Sequence, residues 1–97
     1  MIERADGGLR VTAPMVIANA RTLLEAGGGF LRSGSQADLT LLDLAAVVDV
    51  DSSALAVVLA WLRAASERGV ALHIANPPAS LISLAKLYGV SELLPLA

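Results

Sequence analysis

The polar residues of this 97-residue chain put a few kinds of chemistry within reach, and each has requirements that can be checked. Asp51-Ser52-Ser53 sets two hydroxyls beside a carboxylate, but an activated serine also needs an oriented imidazole within hydrogen-bond reach. The one histidine, His73, sits in Val70-Ala71-Leu72-His73-Ile74-Ala75, where alternation places it on the strand face opposite Val70, Leu72 and Ile74. It reads as a solvent-facing strand residue, not a base. Asp43, Asp49 and Asp51 form an acidic cluster in sequence, yet three carboxylates are fewer oxygen ligands than a hard cation takes. Helix caps and solvated loop acids account for them better. Gly27-Gly28-Gly29 lacks the Lys and Ser/Thr of a phosphate loop and follows a helix signal instead of preceding one. With no cysteine and a single histidine, thiolate nucleophiles, disulfides and Cys- or His-based metal sites are closed as well. The expectation is a binding or regulatory module, with no catalytic residue, no metal and no cofactor.

Composition narrows the partners. Seven scattered Lys and Arg against nine acids, net charge -2, make no basic field for nucleic acid or anionic lipid. Hydrophobic residues are 56% of the chain but aromatics only 3%, so Ala, Leu and Val must do the packing. The longest uninterrupted apolar run, Ala54 to Leu62, is less than half of the ~20 residues that span a bilayer. The first six residues carry charges of both signs and no apolar signal core, which points to the cytoplasm. An apolar excess in so small a domain predicts that part of it lies on a face that meets another protein.

The elements that must position these residues alternate in type. Leu9-Arg10-Val11-Thr12 reads as a short strand near an edge. Pro14 starts a helix in which Val16, Ala20, Leu23 and Leu24 recur at helical spacing, with Asn19, Arg21 and Glu25 facing out, until Gly27-Gly28-Gly29 ends it. Phe30 to Gln36 reads as irregular, with room for a short strand. Leu39 to Leu44 is a mostly apolar run suited to the middle of a sheet. After the connection 45–50, Asp51-Ser52-Ser53 caps a helix running from Ala54 to Arg68, with Gly69 at its end. Val70 to Ala75 is the next strand, Asn76-Pro77-Pro78 caps a helix from Ala79 to Tyr88 that ends at Gly89, and Ser91 caps a last turn through Leu94. This predicts one α/β domain over 1–97, a mixed, mostly parallel sheet of about four strands with helices mainly on one face.

One segment carries a resemblance. Leu42-Asp43-Leu44, six connecting residues, then Asp51-Ser52-Ser53-Ala54-Leu55 opening a helix, resembles the signature of STAS domains, the family of sulphate transporters and anti-sigma factor antagonists. In that signature a Gly is common where Ala54 stands here. Leu84-Ala85-Lys86-Leu87-Tyr88-Gly89 and Leu94-Pro95 are similar to the MlaB-like branch of the family. The likeness runs from about Leu39 to Pro95, while the first 38 residues match only loosely. For the MlaB-like branch it implies a non-catalytic subunit that docks on the MlaF-like ATPase of an ABC-type phospholipid transporter maintaining outer-membrane lipid asymmetry. Such a protein would be cytoplasmic and peripheral at the inner membrane through that partner. For the anti-sigma factor antagonists the resemblance implies phosphorylation of the first serine, here Ser52, by a partner anti-sigma kinase.

Both branches put function at the start of the same helix. As a plain cap, Ser52 would satisfy free N–H groups of the first turn, worth about 1 kcal/mol. As an interface residue it would lead a helix with two apolar stripes, Leu55, Leu59 and Leu62 on one, and Ala54, Val57 or Val58 and Trp61 on the other. One stripe covers the sheet. The other either packs on a neighbouring helix or meets a partner, and tryptophan is favoured at interface centres. The partner-binding candidates are therefore Asp51, Ser52, Ser53, Leu55, Val57, Trp61 and Arg63, the last at the rim of the patch. An isolated copy is expected to cover the same face by forming a homodimer.

Overall fold

The computed structural model describes residues 1–32 and 41–97. The elements in order are β1 (Ile2–Ala5), β2 (Gly8–Val11), α1 (Ile17–Arg32), β3 (Leu41–Asp43), α2 (Ser52–Glu67), β4 (His73–Ala75), α3 (Ala79–Leu87) and a 3-10 turn, Ser91–Leu93. The strands lie side by side in chain order. β1 and β2 form an antiparallel hairpin, and β2, β3 and β4 are parallel, joined by crossovers that contain α1 and α2. The expected mixed, mostly parallel four-stranded sheet is what forms, although one of its strands, β1, lies in the charged N-terminal segment where no strand is expected. Asp6-Gly7 makes its turn, with Gly7 at positive φ.

Register explains why one face of this sheet is dry. Leu9, Leu42 and Ile74 pair across the three parallel strands and are all buried, joined in one core with Leu23 of α1, Val58 and Trp61 of α2, and Leu81 of α3. The next row, Glu3, Arg10, Asp43 and Ala75, points the other way. There Arg10 stands between two acids, 3.3 Å from Asp43 and 3.9 Å from Glu3, an alternation of charge on the uncovered face. Beyond β4, Ile74 N–H donates to Pro95 and Ala97 N–H to Ile74, so the C-terminal residues cover that edge.

Several element boundaries differ from expectation for identifiable reasons. α1 starts at Ile17, not Pro14, because Met15 stays extended to pair with Val50, donating to Asp49 and accepting from Asp51. It then runs straight through Gly27-Gly28-Gly29 to Arg32, where a terminator is expected, so Phe30–Arg32 are helical and not irregular. Tertiary packing overrides local preference there: Gly27 is buried, and a Cβ on it would lie 2.2 Å from Nε1 of Trp61. The expected strand at Leu39–Leu44 narrows to β3 at Leu41–Asp43, residues 39 and 40 being outside the described residues, as are 33–36 of the expected irregular stretch. Gly69 and Gly89 follow α2 and α3 with φ of +74° and +71°, the helix-ending role expected of them. Asn76 does not cap α3. Pro78 precedes it without a side-chain cap, and Asn76, itself at φ 54°, donates instead to Asp43. Likewise Val90, not Ser91, precedes the last turn.

Candidate functional site

The site is organised by one carboxylate. The extended pairing of Met15 with Val50 brings the start of α1 against the start of α2, and Asp51 lies between them. Its Oδ1 accepts from the Ser53 backbone N–H at 2.9 Å and from the Ser53 hydroxyl, while Oδ2 accepts from the Ile17 N–H at 2.9 Å. One side chain therefore satisfies orphan amides of two helices. Of the three capping residues expected, Asp51-Ser52-Ser53, it is the first that caps, so the plain-cap role open to Ser52 is not the one realised. Asp51, in extended conformation at φ -130°, is the N-cap, and Ser52 is the first helical residue. Asp43 has a parallel structural role, accepting from Ala45 N–H at 3.0 Å and Asn76 Nδ2 at 3.1 Å and pairing with Arg10.

These hydrogen bonds hold both carboxylates below the usual aspartate range. For Asp51 the Ser53 hydroxyl is the main cause, followed by the Ile17 amide, with partial burial opposing; for Asp43 the Ala45 amide leads, then Asn76. A carboxyl group whose folded-state pKa is lowered stabilises the fold fully above its unfolded value, and loses that contribution as pH falls through the folded value. The urea midpoint is therefore expected to stay level from pH 7 to about 5 and to fall below about pH 4. Asp51→Asn, which keeps a capping oxygen but not the charge, is expected to give a shallower acid limb. Urea titrations of both proteins across pH 2.5–7 check this.

With Asp51 turned inward, Ser52 is left outward. Its side chain is exposed, and its hydroxyl has no hydrogen-bond partner among the described residues. Ser52, Ala56, Leu59 and Arg63 recur at helical spacing on the outer face of α2, a short apolar stretch with a hydroxyl at one end and a cation at the other. Beside them Leu55, Ala56, Leu59, Tyr88 and Val90 line a shallow open groove of about 340 Å³ that Ser52 closes at one end.

The structure thus brings together Asp51, Ser52, Ser53, Leu55 and, farther along, Arg63. It separates Val57 and Trp61 from them. Both are 2% exposed and lie in the core, so neither is a surface residue, and Arg63 does not border an apolar patch around Trp61. The second apolar stripe of α2 is covered by α1, whose Gly27 lets the helices approach at Trp61; of the two roles open to that stripe, packing on a neighbouring helix is the one realised. Leu55 is only 5% exposed and forms the floor of the groove, not a projecting contact. The residues that do project went unselected in the sequence. Leu87 and Tyr88 at the end of α3 are 76% and 58% exposed, and Ile17 and Val48 near Asp51 are 74% and 83% exposed. The signal for the first two was present in Leu87-Tyr88-Gly89, where a helix stop follows two large apolar residues.

His73 is exposed at the start of β4, whereas Ser52 and Ser53 follow the opposite end of β3, so the imidazole lies away from the two serines of the Asp51-Ser52-Ser53 motif. Asp43, Asp49 and Asp51 do not converge, and among the described residues no three His, Cys, Asp or Glu side chains group as metal ligands. Among the described residues, no helix is long and apolar enough to cross a membrane.

Comparison with known proteins accords with this arrangement. A candidate anti-sigma factor antagonist of Thermotoga maritima has a TM-score of 0.76 at 19% identity, over 99% of this chain and 83% of that one. The anti-sigma factor antagonist SpoIIAA in its unphosphorylated form has a TM-score of 0.71 at 14% identity, over 100% of this chain and 86% of that one. The Bacillus SpoIIAA in its phosphorylated form gives 0.66 at 14%, over 100% and 89%. Identities this low establish the shared fold. Among curated proteins none matches in sequence. The family model described as "Mlab, STAS domain" matches residues 2–95, nearly the whole chain, and on that match this protein belongs to the MlaB-type STAS domain family.

Proposed function

We propose that this chain is a non-catalytic accessory subunit that binds and stabilises the MlaF-like ATPase of an ABC-type phospholipid transporter, the assembly that maintains outer-membrane lipid asymmetry. It would sit in the cytoplasm, at the inner membrane through that partner. The observation that carries the reading is the MlaB-type match across residues 2–95. The outer face of α2 suits the role physically: Ser52, Ala56, Leu59 and Arg63, with Tyr88 and Val90 beside them, offer apolar area framed by hydrogen-bonding groups. This is also the face that a second copy would cover if the isolated protein pairs.

The decisive experiment is affinity capture from the native cells with mass-spectrometric identification. Co-purification of an ABC ATPase with its membrane permease is expected; recovery of a soluble serine kinase in their place would overturn the reading. Ser52→Asp is expected to weaken ATPase binding at least tenfold while leaving the unfolding midpoint within about 2 °C. An added carboxylate suits a helix N-terminus but brings a buried charge to the interface. Unchanged affinity by titration calorimetry would remove Ser52 from the docking surface.

A second reading, an anti-sigma factor antagonist switched by phosphorylation of Ser52, is favoured by one observation, the exposed Ser52 hydroxyl, which has no hydrogen-bond partner among the described residues. The local charges weigh against it. A phosphoserine there would gain from the helix N-terminus but stand next to the Asp51 carboxylate, with Arg63 about 16 Å farther along the helix axis. Phosphate at Ser52 would repel a docked partner more readily than it would pair within its own chain.

A further inference from the structure

α1 changes character halfway along. Its first half is held at both ends of the turn that matters: Asp51 accepts from the Ile17 amide, and Leu23 is fully buried. Its second half opens with Gly27, Gly28 and Gly29 in succession, each disfavouring helix against alanine about four- to fivefold. Gly27–Arg32 is thus helical because of what it packs on: Gly27 lies against Trp61, and Leu31 is buried in the core. A Cβ at Gly27 would lie 2.2 Å from Nε1 and 2.3 Å from Cε2 of that indole.

A second and independent observation concerns the same contact. Trp61 is 2% exposed, and its Nε1–H is buried without a hydrogen-bond partner among the described residues. A buried donor with no acceptor carries its full desolvation penalty, which water would remove. Two costs therefore meet at one place, the least helical turns of the molecule and an unsatisfied donor directly beneath them. Opening those turns relieves both. Opening is opposed by, among other contacts, the burial of Leu31 and of the indole ring.

We propose that Gly27–Arg32 is a lid over Trp61 that opens and recloses as a unit while the sheet and α2 stay folded. Its open state presents the indole and its N–H at the surface between α1 and α2. In this way an aromatic side chain that is core in the closed protein becomes available without global unfolding. Gly29 is the position at which the lid can be stiffened without touching the contact, since a Cβ there meets nothing within 4 Å.

Native-state hydrogen exchange on the full chain, in increasing sub-denaturing urea, tests the proposal. The amides of Gly27–Arg32 are expected to exchange at least tenfold faster than those of Val57–Trp61, with a weaker urea dependence. Gly29→Ala is expected to slow the lid amides four- to fivefold. A difference below tenfold between the two sets, or an equal urea dependence, would mean that the segment opens only with the whole domain and would overturn the lid. Because the chain has no cysteine, Leu31→Cys and Val58→Cys each introduce a single buried thiol for a second measurement. Labelling of the first at least tenfold faster than the second is expected; a smaller ratio counts against the lid.

Discussion

Trp61→Ala is expected to lower the free energy of unfolding by about 3–5 kcal/mol, the range for removing a large aromatic from a packed core. Trp61 is among the largest fully enclosed side chains, and it fills the space between α1 and α2 that the glycine at 27 leaves open. The cavity left behind cannot be closed by Gly27, which has no side chain to move into it. For a domain of this size each kcal/mol corresponds to roughly 4–8 °C, so the melting temperature is expected to fall by more than ~10 °C. Trp61→Phe should cost less, because it keeps most of the ring contact and removes an N–H that has no partner among the described residues. Thermal and urea melts followed by circular dichroism decide it. An alanine variant as stable as the parent would show that the indole is not core, and a loss of partner binding by that variant is to be read through its stability first.

Gly8→Ala is expected to be comparably damaging, by about 3 kcal/mol, for a different reason. Gly8 is paired with Leu41 in the parallel ladder between β2 and β3. A Cβ there would lie 1.8 Å from the Leu41 carbonyl oxygen, 2.6 Å from its carbon and 2.8 Å from its nitrogen. All three are main-chain atoms of the neighbouring strand, so no side chain can swing aside, and relief requires moving a strand by more than an ångström. Strand spacing is set by hydrogen bonds at ~4.8 Å, and such a shift forfeits them. Equilibrium urea unfolding is the measurement; a variant within 1 kcal/mol of the parent would mean that the β2–β3 pairing is looser than the register describes.

A hydrophobic content of 56% invites an explanation by an interface, and the double apolar face of α2 localises it. Most of that excess is internal. α1 covers the stripe of Val57 and Trp61, and the sheet and helices enclose the rest. Among the described residues, the large apolar side chains left exposed are a smaller set, Met1, Ile17, Leu24, Val48, Leu87, Tyr88, Leu93 and Leu96, with Leu59 of α2 half-buried. On the function proposed above, the docking surface would be the outer face of α2 with the end of α3, not the closed-state indole.

Local features of the sequence were sufficient where the determinant is itself local. The parallel strands, the long helix after Asp51-Ser52-Ser53 and the glycine stops at 69 and 89 follow from periodicity, capping and positive φ, all properties of a few consecutive residues. The placement of functional interest at the start of α2 came from the same short motif. The tertiary structure alone decided what depends on partners distant in sequence. Gly27-Gly28-Gly29 is a stop signal by composition and becomes helix because Trp61, more than thirty residues away, needs a surface without side chains to lie on. Asp51, one of three adjacent capping residues, came to hold α1 as well as α2 because the Met15–Val50 pairing set the Ile17 amide within reach of its second oxygen. That single carboxylate, turned inward to hold two helices, is the physical reason Ser52 is left outward and exposed.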